Sequence, residues 1–311
     1  MTGEKLMQSG GGEKKTAFDI LSRISFHHVL LNSSKIHYVE DITVILNNQV
    51  ERMNMPIVKR MVNDVEIACW MNSGEWVAGR QTLVFIAGSG GDHTAWVYQC
   101  SQLSNDFNIA AMELPGHGSS GGKGEQDVEK YAQCVRAALP VFGISLPVIV
   151  GHSLGAAIAL MFAVQYGELI KGIVVFGGGA KMPVNPMILE GIKKDPDAVM
   201  AMTAKIAVAK KNRERMAPIL ARRKPNPDIL YGDFLACDRL DIAQAIKGIK
   251  LPTLVVCGTE DKMTPPANSE ALRDSIPGAK LALIPEAGHL VMMEDPEAFN
   301  KVIKTFVESL A

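Results

Sequence analysis

Ser153 stands in Gly151-His152-Ser153-Leu154-Gly155, and a serine in that spacing is a candidate nucleophile for acyl chemistry. Serine is a weak nucleophile near neutral pH. It needs a base within hydrogen-bond reach and a third group to orient that base. His289, in Glu286-Ala287-Gly288-His289-Leu290, is the first choice of base, with His117 and His152 as competitors. Asp261, in Gly258-Thr259-Glu260-Asp261-Lys262, is the first choice of orienting acid, with Glu260 as its rival. Acyl transfer also needs donors for the developing oxyanion, usually the largest single contribution to rate. The backbone N–H of Leu154 supplies one, and that of Ser89, in Gly88-Ser89-Gly90-Gly91, the second.

Gly-x-Ser-x-Gly arises by chance in many proteins, so its context decides. Here the apolar run Val148-Ile149-Val150 leads in, and a small-residue helical pattern, Ala156 to Leu160, follows without a break. A buried strand that turns tightly into a helix lifts the serine hydroxyl above the sheet edge and sets helix N–H groups beside it. A membrane span over Leu146 to Val164 is the competing reading; the glycines, His152 and Ser153 interrupt it, and buried parallel strands also read as continuous apolar runs.

Other elements fall into place around this turn. Ile57 to Met61 and Val65 to Trp70, joined across Asn63-Asp64, read as an antiparallel hairpin. Strands are expected at Thr82 to Ala87, Asn108 to Glu113, Ile173 to Phe176, Thr253 to Cys257 and Leu281 to Ile284. Val128, Tyr131, Ala132, Val135 and Leu139 recur at helical spacing, and Pro140 is expected to end that run. A last helix should begin with Asp295 as cap and Pro296 at its first position. Strands alternating with helices imply an α/β fold, a mostly parallel sheet with helices on both faces.

Composition narrows the class. The chain has 311 residues, 47% hydrophobic and 21% charged, with a net charge of −1. That balance gives no footprint for nucleic acid. Its five cysteines are scattered without a Cys-x-x-Cys pair, which suits a reducing compartment and argues against a zinc site. The polar start lacks the apolar core of a signal peptide, so a cytoplasmic location is expected. Residues 1–54 read as a partly disordered extension, with His27, His28 and His37 as bystanders and with Met53 or Met55 as alternative starts. No cofactor is expected. Gly88-Ser89-Gly90-Gly91 lacks the Gly-Lys-Ser/Thr ending of a phosphate loop and the dinucleotide pattern.

One interval breaks the alternation. Residues 181–245 contain no convincing strand and read as a helical insertion over the carboxyl edge of the sheet, where α/β proteins place ligands. From Lys181 to Pro227 there are 11 Lys+Arg against 4 Asp+Glu. The plain reading is a solvated helical face. The sharper one is attraction for an anionic substrate, a carboxylate or a coenzyme A thioester. Met182, Met187, Met200, Met202 and Met216 suit an adaptable pocket and suit helix packing equally well.

With these motifs together, residues 55–311 resemble the α/β-hydrolase superfamily, in the branch with a helical cap after the sixth strand. The resemblance rests on four motifs in order: Ala87-Gly88-Ser89-Gly90, Leu114-Pro115-Gly116-His117-Gly118-Ser119, Gly151-His152-Ser153-Leu154-Gly155, and Asp261 with Gly288-His289. It implies an eight-stranded sheet, Ser153 as nucleophile, His289 as base, Asp261 as acid, and oxyanion donors at Ser89 and Leu154. Two positions depart from the pattern: Ala87 replaces a histidine that supports the oxyanion loop, and Glu113 replaces an aspartate. Serine at 153 argues against the dehalogenase and epoxide-hydrolase relatives. The leading expectation is a cofactor-independent serine hydrolase acting on a small-molecule ester, lactone or thioester. Carbon–carbon hydrolysis by the same triad, acyl transfer to an acceptor other than water, and a receptor with little turnover are the alternatives.

Overall fold

The hairpin expected across Asn63-Asp64 forms, with β1 (Val58–Val62) antiparallel to β2 (Val65–Met71). Both turn residues take positive φ, 46° and 65°, a conformation that Asn and Asp tolerate better than other side chains. The structure, a computed structural model, describes residues 57–310. The extension expected over 1–54, with its three histidines, lies outside the described residues.

Strand β3 (Thr82–Ile86) follows, then helix α1 (Val97–Leu103), β4 (Asn108–Met112) and α2 (Val128–Val141). Pro140 does not stop α2 one residue early as expected; it sits inside the last turn. A proline there lacks only one hydrogen bond, and the helix closes a residue later. Next come β5 (Val148–His152), α3 (Leu154–Tyr166) and β6 (Gly172–Phe176). Four helices then run without a named strand: α4 (Pro186–Lys194), α5 (Pro196–Ala207), α6 (Arg213–Leu220) and α7 (Pro227–Asp238). The chain returns to the sheet at β7 (Thr253–Gly258), followed by α8 (Pro266–Ser275), β8 (Lys280–Ile284), α9 (Val291–Glu294) and α10 (Pro296–Glu308).

The prolines that punctuate the insertion start its helices. Asn185, Asp195 and Asn226 each cap a helix whose first residue is proline, and their side chains accept backbone N–H bonds from Met187, Ala198 and Asp228. Asp295 and Pro296 do the same for α10, as the sequence predicts.

The strands form one eight-stranded sheet in the order β1-β2-β4-β3-β5-β6-β7-β8, parallel from β4 to β8. Strands β3 to β6 are buried throughout. Their side chains alternate between two cores. Val84, Ile86, Ile149 and Val175 pack with α2 and α3, while Leu83, Phe85, Val150 and Phe176 pack with α1 and α10. Each such fully buried side chain stabilises the fold by about 1.5–3 kcal/mol. The apolar run at Leu146 to Val164 is therefore strand, turn and core helix. Among the described residues no helix is long and apolar enough to cross a membrane.

Candidate active site

The turn after β5 carries Ser153 in a backbone conformation that a side chain rarely adopts, φ 53° and ψ −114°. Holding such a residue costs about 1–3 kcal/mol, so its surroundings must over-determine it. They do: Ser153 N–H donates to Phe176 O at 2.9 Å, and Ser153 O accepts from Ala156 and Ala157 as α3 begins. The flanking glycines leave no choice of side chain. A Cβ on Gly151 would collide with the Gly155 carbonyl, and one on Gly155 with the Ile86 carbonyl. Leu154 is the first residue of α3, where N–H groups have no intrahelical acceptor.

Asp261 and His289 arrive on the loops after β7 and β8, both 4% exposed. His289 Nδ1 lies 2.9 Å from Asp261 Oδ2. The other carboxylate oxygen accepts from the N–H groups of Met263 and Thr264 at 2.8 and 2.9 Å, and Thr264 Oγ1 donates to Oδ2 at 2.7 Å. Burial pushes the Asp261 carboxyl up, but the His289 ring and these donors outweigh it and leave it below the ordinary carboxylate range. The acid is thus charged and fixed, and a proton on Nδ1 leaves Nε2 as the free basic nitrogen. Glu260 is turned aside, its N–H bonded to Ala287 O at 2.8 Å, and its carboxylate makes no bond to His289.

His289 and the serine turn approach across Gly177. A Cβ there would lie 2.8 Å from His289 Cε1 and 3.2 Å from His152 Cδ2, and the two rings are 4.8 Å apart. The Ser153 hydroxyl is not hydrogen-bonded to His289 here; catalytic contacts of this kind often tighten only when substrate is bound. His152 is a wedge beneath the site. Its Nε2 bonds the His289 carbonyl at 3.0 Å, and burial followed by the nearby His289 ring holds it neutral.

The loop after β3 closes the site from the other side. A Cβ on Gly88 would lie 3.0 Å from Ser153 Cβ, so Ser89 is one residue from contact with the serine. The sequence left open what supports this loop once Ala87 replaces histidine. The support is Asp233, on α7 in the insertion, whose Oδ2 accepts from Gly90 N–H at 2.8 Å. Asp233 is fully buried and also bonds His117 Nε2 at 2.8 Å and the Tyr131 hydroxyl at 2.6 Å. His117 Nδ1 faces the Pro115 carbonyl at 3.0 Å, so both ring nitrogens meet acceptors and the ring is an imidazolium. Burial works against that charge, and the Asp233 carboxylate overcomes it, raising the His117 pKa. His117 is thereby occupied in a structural network rather than serving Ser153.

A second buried carboxylate ties the insertion to the histidine loop. Glu294 accepts from Ala209 N–H, Asn212 Nδ2 and Leu290 N–H at 2.9, 3.0 and 3.2 Å. Neither Asp233 nor Glu294 carries a sequence signal for these roles, because the insertion partners of Glu294 and every partner of Asp233 lie more than 80 residues away along the chain. Asp92, His93 and Glu113 bring ligand atoms within 4.8 Å of one another. Both Glu113 oxygens are already engaged, by His93 and Ser119 N–H, and one Asp92 oxygen is engaged by Thr94. A polar cleft of about 370 Å³ lined by Lys123, Gln126, Lys130, Asp228 and Arg239 lies elsewhere and includes none of the site residues.

A parallel sheet with a serine at a strained strand-to-helix turn, and an Asp–His pair on later strand ends, defines the hydrolase class of α/β proteins. The chain belongs to the alpha/beta hydrolase family, whose pattern matches residues 83–302. It is similar to a thermophilic esterase of known structure, 30% identical with a TM-score of 0.70, covering 82% of this chain and 98% of that one. It is 25% identical to a dihydrolipoyllysine-residue acetyltransferase component of an acetoin cleaving system from Pseudomonas putida, over 74% of this chain and 64% of that protein. The present chain thus spans less than two thirds of that relative's length. A 2-hydroxy-6-oxononadienedioate/2-hydroxy-6-oxononatrienedioate hydrolase from Paraburkholderia phymatum is 26% identical over 74% of this chain and 88% of its own.

Proposed function

We propose that this chain is a serine hydrolase cleaving a small carboxylic ester, lactone or thioester, with the triad Ser153, His289 and Asp261. The observation that carries the reading is the strained Ser153 turn beside a buried Asp261–His289 pair joined at 2.9 Å. Ser153 Oγ attacks the acyl carbon while its proton passes to His289 Nε2. The negative charge that develops on the carbonyl oxygen is held by the N–H groups of Leu154 and Ser89. Collapse breaks the acyl–oxygen or acyl–sulfur bond, and His289 returns the proton to the leaving group. Water then gives its proton to His289 and attacks the acyl-enzyme, and Ser153 is regenerated as the acid is released. Nucleophile, base and oxyanion donors all come from the chain, so these steps call for no cofactor.

Residues 55–311 are read as the hydrolase domain and 181–245 as its cap. The cap reading is supported by the contacts of Asp233 with Gly90 on one loop beside Ser153, and of Ala209 and Asn212 with Glu294 next to the other. Cleavage of a carbon–carbon bond by the same triad is a second reading, favoured by the likeness to the nonadienedioate hydrolase. A fluorophosphonate should label Ser153 stoichiometrically, and a short p-nitrophenyl ester should turn over. Esterase activity that survives Ser153→Ala would refute the assignment.

A further inference from the structure

The basic excess of the insertion is not spread evenly over the site. Lys181, Lys194, Lys211 and Lys224 face outward and pair with Asp241, Glu190, Glu286 and Asp197. Arg213 donates to the Val208 carbonyl, and Arg215 to the carbonyls of Met293 and Glu294. These side chains account for themselves locally. Arg223 does not.

Arg223 lies in the loop between α6 and α7, half-buried, and reaches down to the oxyanion loop. Its Nη2 donates to Ser89 O at 3.3 Å, a long bond and the one side-chain hydrogen bond it makes among the described residues. The same nitrogen is 3.6 Å from the position of a Cβ on Gly91. A guanidinium carries five N–H donors. Among the described residues no carboxylate lies within 4.0 Å of it. Asp92 acts on it as an opposing charge without reaching ion-pair distance, and one Asp92 oxygen is committed to Thr94 N–H at 2.8 Å and Thr94 Oγ1 at 2.5 Å. Burial disfavours the Arg223 charge where it sits. A half-buried guanidinium that gives one long bond to the protein keeps its other donors open, and an anion that met them would offset the cost of its partial desolvation. A Cβ on the neighbouring Gly88 would touch Ser153, so the guanidinium nitrogen stands at most about 15 Å from the nucleophile along these contacts.

We propose that Arg223 is the specificity-determining residue of an anion subsite, receiving a carboxylate carried by the substrate several carbons from the bond cleaved. A planar fork of donors matches a carboxylate in bidentate fashion, which neither a lysine nor a backbone N–H reproduces. The proposal rests on the hydrolase reading for its substrate and names the class: half-esters, lactones or thioesters of dicarboxylic acids. Binding at this subsite anchors the far end of the acyl chain and leaves the carbonyl against Ser89 and Leu154.

The test compares mono-p-nitrophenyl esters of succinic, glutaric, adipic and pimelic acid with p-nitrophenyl esters of the neutral acids of equal chain length. The parent protein is expected to prefer at least one half-ester by tenfold or more in kcat/KM. Arg223→Gln should erase that preference, chiefly through KM, and Arg223→Lys should restore part of it. No half-ester preference in the parent, or a preference that survives Arg223→Gln, overturns the proposal. If no ester of either series turns over, the hydrolase reading has failed instead. The subsite is then judged by titration with free glutarate and adipate. A rise in melting temperature present in the parent and absent in Arg223→Gln upholds it, and equal or absent rises in both overturn it.

Discussion

Replacing Asp233 by alanine removes the acceptor shared by Gly90 N–H, the His117 ring and the Tyr131 hydroxyl, now held at 2.8, 2.8 and 2.6 Å. The site is sealed: Asp233 and Tyr131 are 0% exposed and His117 is 3% exposed. Each buried donor left without an acceptor costs about 1–3 kcal/mol. Loss of a proton from His117 and entry of water into the vacated volume recover part of that sum. The expected loss is about 4 kcal/mol, within the range of roughly 3–5 found when one partner of a buried ion pair is removed. For a domain of this size that lowers the melting temperature by roughly 8–16 °C. Activity should suffer separately, because Gly90 adjoins the Ser89 N–H proposed to stabilise the oxyanion. Losing such a donor outright costs about 10²–10³ in kcat, so a loosened one should cost about 10–100-fold in kcat with a smaller change in KM. Urea denaturation and steady-state kinetics below the melting transition read the two effects. The pH dependence adds a third. The raised His117 pKa makes its contribution full below about pH 6.5, with loss as pH rises through the folded value. Asp233→Asn should flatten that alkaline decline. A stability loss under about 1 kcal/mol, the size typical of an ordinary substitution, or an unchanged kcat in folded protein, would refute the argument.

Ser153→Gly should abolish turnover and yet stabilise the fold by about 1 kcal/mol. It relieves the φ 53° strain at the cost of some glycine chain entropy, and thermal denaturation checks it. Asp261→Asn should lower kcat by about 10⁴, because the proposed base His289 loses the group that sets its tautomer, the size of effect seen for that change in a serine triad. The lowered Asp261 pKa means its stabilisation is present above about pH 3.9 and disappears as pH falls through the folded value. The acid limb of the Asp261→Asn stability curve should accordingly be flatter, as followed by acid denaturation.

Much of the fold is legible in the chain because its signals are local. The strands at Thr82–Ile86 and Val148–His152 are uninterrupted apolar runs bounded by turns, and Asn63-Asp64 names its own hairpin. Gly151 and Gly155 mark a strand and helix in backbone contact, and α10 announces its start through Asp295-Pro296. Ser153, Asp261 and His289 stand out for the same reason, since each follows a strand end in a short recognisable stretch. Pro140 shows the limit even here, as one residue of helix end depends on packing that propensity does not encode.

The tertiary structure alone decided which groups meet across the chain. Asp233 reads as an ordinary helical aspartate, and its value as an anchor exists only because α7 lies over Gly90, 143 residues away. Glu294 joins the insertion to the histidine loop in the same fashion, across 85 residues to Ala209. The basic count of the insertion is plain in the sequence, yet it could not separate four lysines paired at the surface from Arg223 facing the loop after β3. Periodicity reports which way a side chain leaves its own helix or strand, and it is blind to what a distant segment brings to meet it.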